Sequence, residues 1–132
     1  MNMNAVYRLS GLMDYLITKN KETGQEFYPV LVRVFLYIAE HNKRGVTLNQ
    51  IERDLGLVQT SVYRAVAALS EGTSKKPEGL DYVESKRNPA DYRSKIVTLT
   101  KAGHTFLNEL TAKGDIGRGN GETMGGDISL MQ

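Results

Sequence analysis

Residues 50–69, QIERDLGLVQTSVYRAVAAL, place five hydrogen-bonding side chains, Gln59, Thr60, Ser61, Tyr63 and Arg64, within a span of six positions. An amide can pair bidentately with adenine and a guanidinium with guanine. A threonine methyl can meet that of thymine, and Ser or Tyr hydroxyls suit phosphate oxygens. Taken alone, the row equally suits the solvated face of an amphipathic helix. A second cluster bears on the choice. Arg87, Arg93 and Lys95 lie in or beside RNPADYR, and a guanidinium on a rigid loop tip can enter a narrow, electronegative minor groove.

These groups need elements to position them, and hydrophobic spacing supplies the elements. In NAVYRLSGLMDYLITKNK, Val6, Leu9, Met13 and Leu16 recur at three and four, which predicts an amphipathic helix. In FYPVLVRVFLYIAEHNKRG, Pro29 suits a first helical position, and apolar residues surround nearly the whole axis, as in a buried central helix. Gly45 ends it. Thr47-Leu-Asn-Gln50 fits a capping box opening a short helix with Leu48, Ile51 and Leu55 inward, and Gly56 supplies the positive φ that stops it. The next helix turns Val62, Ala65, Val66 and Leu69 inward, which leaves Gln59, Thr60, Tyr63 and Arg64 facing outward with Ser61 at the N-terminal lip. Ile51, Leu55, Leu57 and Val62 are spaced to fill the wedge between the two.

LDYVESK and SKIVTLT are short, rich in β-branched and aromatic residues, and joined by a seven-residue segment, so they predict a hairpin with a long tip. Thr98 or Thr100 then caps a last helix whose apolar residues are Ala102, Phe106, Leu107 and Leu110. Helix, helix, short helix, tight turn, helix, hairpin, helix is a mainly α winged helix-turn-helix with a small β-hairpin. It is expected over residues 1–112. Residues 113–132 are expected to be a mobile tail, since six of the thirteen residues from Gly114 to Gly126 are glycine. The helix over about 59–70 would lie in the major groove of double-stranded DNA, with the wing over about 87–95 at the minor groove.

Bulk properties fit one domain. The 132 residues carry 17 Lys and Arg against 15 Asp and Glu, a weak net charge of +2, but residues 42–101 hold 11 basic against 7 acidic side chains. The lack of cysteine, of a long apolar run and of a leader points to a cytoplasmic protein with no membrane partner. His41 and His104 lack companions at metal-ligand spacing, so no metal and no cofactor are expected. No GxSxG, P-loop or HExxH occurs, and GRGNG follows no strand, so no catalysis is expected either.

TLNQIERDLGLVQTSVYRAVAAL and DYRSKIVTLTKAG resemble the helix-turn-helix and the wing of MarR-family transcriptional regulators, over residues 27–110. The resemblance implies that Asp91 buttresses the wing while Arg93 enters the minor groove. By position, Arg64 matches a basic site on the recognition helix, and Thr60 and Ser61 match its polar start. It also implies homodimers on pseudo-palindromic operators, often released by a small-molecule effector, and hence a sequence-specific regulator, most simply a repressor. Val6, Leu9, Met13 and Leu16, repeating like a and d positions, are the expected dimer seam. The chain departs from the family in four places: Glu52 replaces a small residue, Val58 replaces a polar N-cap, GTSKKPEGLDY is long, and the last helix is short. The acidic Glu52, Asp54 and Glu71 keep a second function open, a winged-helix module that docks on a protein of a transcription or replication complex.

Overall fold

The computed structural model describes residues 2–72, 78–91 and 93–116, with two dipeptide strands, Asp127–Ile128 and Leu130–Met131, beyond them. Most of the segment expected to be a mobile tail lies outside the described residues. The chain divides into two compact units, Thr23–Phe106 and a second made of Met1–Glu22 with Leu107–Gln132.

In the first unit α2 (Pro29–Glu40) is the axis, with Pro29 in its first turn and Leu31, Val34, Phe35, Tyr37 and Ile38 buried. Phe35 and Tyr82 close on Phe106 at ring distances of 5.0 and 4.5 Å, the first edge-on and the second stacked, which adds directional contacts to the burial of large rings. The capping box opens α3 (Leu48–Leu55): the Gln50 amide donates to the Thr47 hydroxyl at 3.2 Å, and the Thr47 amide donates to the Gln50 side chain at 2.8 Å. Gly56, at φ 67° and ψ 36°, ends α3 in the left-handed region, and its amide donates to the Glu52 carbonyl. α4 (Gln59–Leu69) follows after two residues. Ile51 and Val62 are closed off completely in the wedge between α3 and α4, each burial contributing about 2 kcal/mol, whereas Leu55 and Leu57 are half-buried at its rim.

After α4 the chain turns back along it. The Leu80 and Tyr82 amides donate to the Ala68 and Leu69 carbonyls, and Asp81 between them adopts φ 59°. β1 (Val83–Arg87) and β2 (Lys95–Leu99) then pair antiparallel, from Val83 opposite Leu99 to Arg87 opposite Lys95. A bridge absent from the sequence expectation joins this hairpin: Val46 and Val97 exchange backbone hydrogen bonds of 3.1 and 2.7 Å. Asn42 adds a second tie, its side-chain oxygen accepting from the Leu99 amide at 2.7 Å.

Thr100, rather than Thr98, caps α5 (Lys101–Ile116), accepting from the Gly103 amide at 3.0 Å while donating to the Asp81 carbonyl. The inward face of α5 is Gly103, Phe106 and Leu110, with Leu107 half-buried and Ala102 exposed. A Cβ on Gly103 would lie 2.0 Å from the Tyr82 carbonyl oxygen, so close approach selects glycine there. α5 continues through Lys113 and Gly114, positions that the sequence assigned to the tail.

In the second unit α1 (Met3–Thr23) starts where the Asn2 side chain accepts from the Ala5 amide. The Tyr15 hydroxyl donates to Glu109 at 2.5 Å, and Lys19 lies 3.5 Å from Glu22 and 3.8 Å from Glu109. Leu16 is 6% exposed and therefore closed inside its own chain, not available to a seam. Six large apolar side chains of α1 stay open instead, Met3, Val6, Tyr7, Leu9, Met13 and Ile17, at 41 to 58% exposure.

Candidate nucleic-acid interface

α4 buries Val62, Ala65, Val66, Ala68 and Leu69, and the helical period then forces Gln59, Thr60, Tyr63 and Arg64 outward; all four are exposed, and Ser61 is half-buried at the lip. The helix begins poorly capped. Val58 occupies the N-cap position in extended conformation without a side-chain hydrogen bond, a loss of about 1 kcal/mol against Ser, Thr, Asp or Asn. Val58 is 64% exposed and Tyr63 66%.

The hairpin tip is ordered by its own short polar side chains. Asn88 accepts from the Ala90 amide through Oδ1 and donates to Ser94 Oγ through Nδ2, both at 3.0 Å. Asp91 Oδ1 accepts from the Arg93 amide at 3.1 Å, and the Arg93 guanidinium stands 3.7 Å from the same oxygen. The aspartate thus organises the loop through a backbone amide as well as charge. With its side chain 93% exposed, Arg93 keeps an ion pair that contributes little, and its charge remains available to another anion. Arg87 and Lys95 are exposed cross-strand partners at the base of the tip, and like charges placed opposite each other cost stability.

Acidic groups near α4 are partly occupied. The Tyr37 hydroxyl donates to Asp54 at 2.5 Å, and this bond, with the nearby Arg53, holds the Asp54 carboxyl below its ordinary range. The same bond, with burial, raises the Tyr37 hydroxyl above the usual tyrosine value. Glu52 is half-buried, and among the described residues neither Arg53 nor Arg64 pairs with it; Arg53 is 3.6 Å from Asp54. Sequence reasoning missed the Tyr37–Asp54 bond and also Tyr28. Burial raises the Tyr28 hydroxyl above its ordinary value, with opposing influence from the Arg64 charge and reinforcement from Glu26. No periodicity in the chain signals either.

His41 Nδ1 lies 3.0 Å from the Tyr37 carbonyl oxygen, and His104 Nε2 is 3.3 Å from Asn42 Nδ2. Among the described residues no group of three or more His, Cys, Asp or Glu side chains could hold a metal ion, and no helix is long and apolar enough to cross a membrane. Phe27 packs 5.6 Å from Phe106, Tyr15 bonds Glu109, and Tyr7 is exposed.

No protein-family model and no curated protein sequence matches the chain. Solved structures do. The S. aureus MepR–DNA complex is 18% identical with a TM-score of 0.66, over 93% of this chain and 91% of that one. A MarR-family transcriptional regulator from Rhodococcus sp. RHA1 is 18% identical at TM-score 0.58, over 94% and 80%. CouR from Rhodococcus jostii RHA1 bound to p-coumaroyl-CoA is 19% identical at TM-score 0.58, over 94% and 75%. The fold is the MarR-type winged helix. In that MarR-type frame α3 and α4 are the helix-turn-helix and β1 and β2 are the wing. Gln59, Thr60, Tyr63 and Arg64 thus share one helix face, and Arg87, Arg93 and Lys95 share one hairpin end.

Proposed function

We propose that this chain is a MarR-like transcriptional regulator that binds double-stranded DNA in a sequence-specific way, as a homodimer in the cytoplasm, and represses by occluding a promoter. The observation that carries the proposal is the exposed row Gln59, Thr60, Tyr63 and Arg64 on the helix that follows the Gly56 turn. In a helix-turn-helix this helix enters the major groove with its N-terminal residues on base edges, and two subunits address half-sites about 34 Å apart. Arg93, held by Asp91 at the wing tip, supplies the minor-groove charge, with Arg87 and Lys95 behind it. Likeness to the MepR–DNA complex supports the DNA partner, and likeness to CouR with its bound CoA thioester supports a small-molecule effector. The open apolar side of α1 is the surface for the second copy, with Val6, Leu9 and Met13 as its centre. No catalytic step is assigned.

Selection of bound fragments from random duplex DNA, followed by affinity measurements across a salt series, tests this. The expected result is a palindromic site bound with a steep loss of affinity as salt rises, because each neutralised phosphate releases counterion. Arg93→Ala should weaken all sequences about equally and flatten the salt slope by about one. Arg64→Ala should cost roughly tenfold and also relax the preference at one base position. Failure to enrich any duplex would return the chain to the protein-docking alternative.

A further inference from the structure

Eight large apolar side chains are exposed among the described residues; six lie on α1, and the other two are Val58, at the N-cap of α4, and Tyr63, in its leading half. Between and beside them stand Gln59, Thr60 and Arg64, all exposed. Resting on the DNA-binding reading above, we infer that Val58 and Tyr63 read the 5-methyl groups of thymines, so that the N-terminal end of α4 selects T over C at the positions it faces.

The major-groove edge of a base pair offers hydrogen-bond donors, acceptors and one apolar group, the thymine methyl. Gln59, Thr60 and Arg64 match the polar part of that pattern. Val58 matches the methyl: its two branched methyls are held stiffly at χ1, and the side chain makes no hydrogen-bond demand of its own. It stands at the N-cap position, where its side chain makes no hydrogen bond to the helix. A protein partner would need a contiguous apolar patch, whereas these two side chains are interrupted by polar ones. Gln59, able to pair bidentately with adenine, extends the same preference to A·T steps, and Arg64 adds a guanine further along the helix.

The probe is a selected duplex in which single thymines are replaced by deoxyuridine, which removes the methyl and nothing else. Wild-type protein is expected to lose about fourfold in affinity for each methyl contacted, at one or two positions per half-site. Val58→Ala is expected to bind the thymine and uridine duplexes equally at the position Val58 reads, and wild-type protein should bind 5-methylcytosine there more tightly than cytosine. A wild-type protein that binds every uridine duplex as tightly as its thymine parent overturns the inference while leaving DNA binding in place. A protein that binds no duplex at all overturns both.

Discussion

Gly45 leaves no room for a side chain. Its φ is 78°, and a Cβ there would lie 2.2 Å from Ile96 Cγ2 and 3.0 Å from Thr98 Cγ2, inside the hairpin it abuts. Gly45→Ala therefore adds a steric clash to a disfavoured backbone angle and is expected to destabilise the chain by about 3 kcal/mol in urea unfolding. Gly56 has a similar angle but nothing within 4 Å of its would-be Cβ, so Gly56→Ala is expected to cost only about 1 kcal/mol. The contrast shows what a residue's neighbours in sequence can reveal. The positive φ of Gly56, the reciprocal bonds of Thr47 and Gln50, and the choice between Thr98 and Thr100 as cap are settled within four residues, and two of the three were legible directly. The burden on Gly45 was not, because Ile96 arrives from a distant strand. Asn42 and Leu99 are 57 positions apart and Tyr37 and Asp54 are 17, so neither bond leaves a local trace.

Among the elements, α2 and α3 are joined by the Tyr37 hydroxyl on Asp54, a buried ring whose polar tip reaches the surface. The bond shifts both groups, and each shift has a sign. Asp54, lowered from 3.8, contributes stability above that value and loses it as pH falls through the lower folded value. Tyr37, raised from 10.0, contributes fully below that value and loses it as pH climbs through the higher folded one. Tyr37→Phe should consequently melt a few degrees below wild type at neutral pH. The two melting curves should converge only as pH falls below 3.8 and through the lower folded value of Asp54, where its carboxyl is protonated in both proteins; thermal scans in steps of pH check this. At this scale the order and type of the seven elements over residues 1–116 were legible, since amphipathic period and turn chemistry are local. The Val46–Val97 bridge was hidden because a single residue carries no strand pattern. On α5 the apolar spacing did not reveal that Gly103 is buried while Ala102 beside it is exposed, because the glycine is chosen for its lack of a side chain against the Tyr82 carbonyl.

For the whole molecule, the proposed dimer puts the weight on α1. An apolar stripe was legible there from spacing alone, but not which of its members the chain would keep for itself; burial takes Leu16 and leaves Met3, Tyr7 and Ile17 beside Val6, Leu9 and Met13. A charge at the centre of this surface opposes a second copy, so Leu9→Glu with Met13→Glu is expected to shift light scattering at micromolar concentration from dimer to monomer. Because each half-site would then be held singly, affinity for a selected palindrome should fall by two orders of magnitude or more. Wild-type protein that is already monomeric under these conditions rejects the dimer. Within Thr23–Phe106, the hairpin is fastened at its root by the Val46 backbone and by the Asn42 side chain, both in the turn that leads into α3. In the proposed complex with DNA, that fastening would make a caliper of fixed gauge: with wing and helix-turn-helix tied together, an operator with a base pair inserted between their two proposed contacts would be matched only by surrendering one of them.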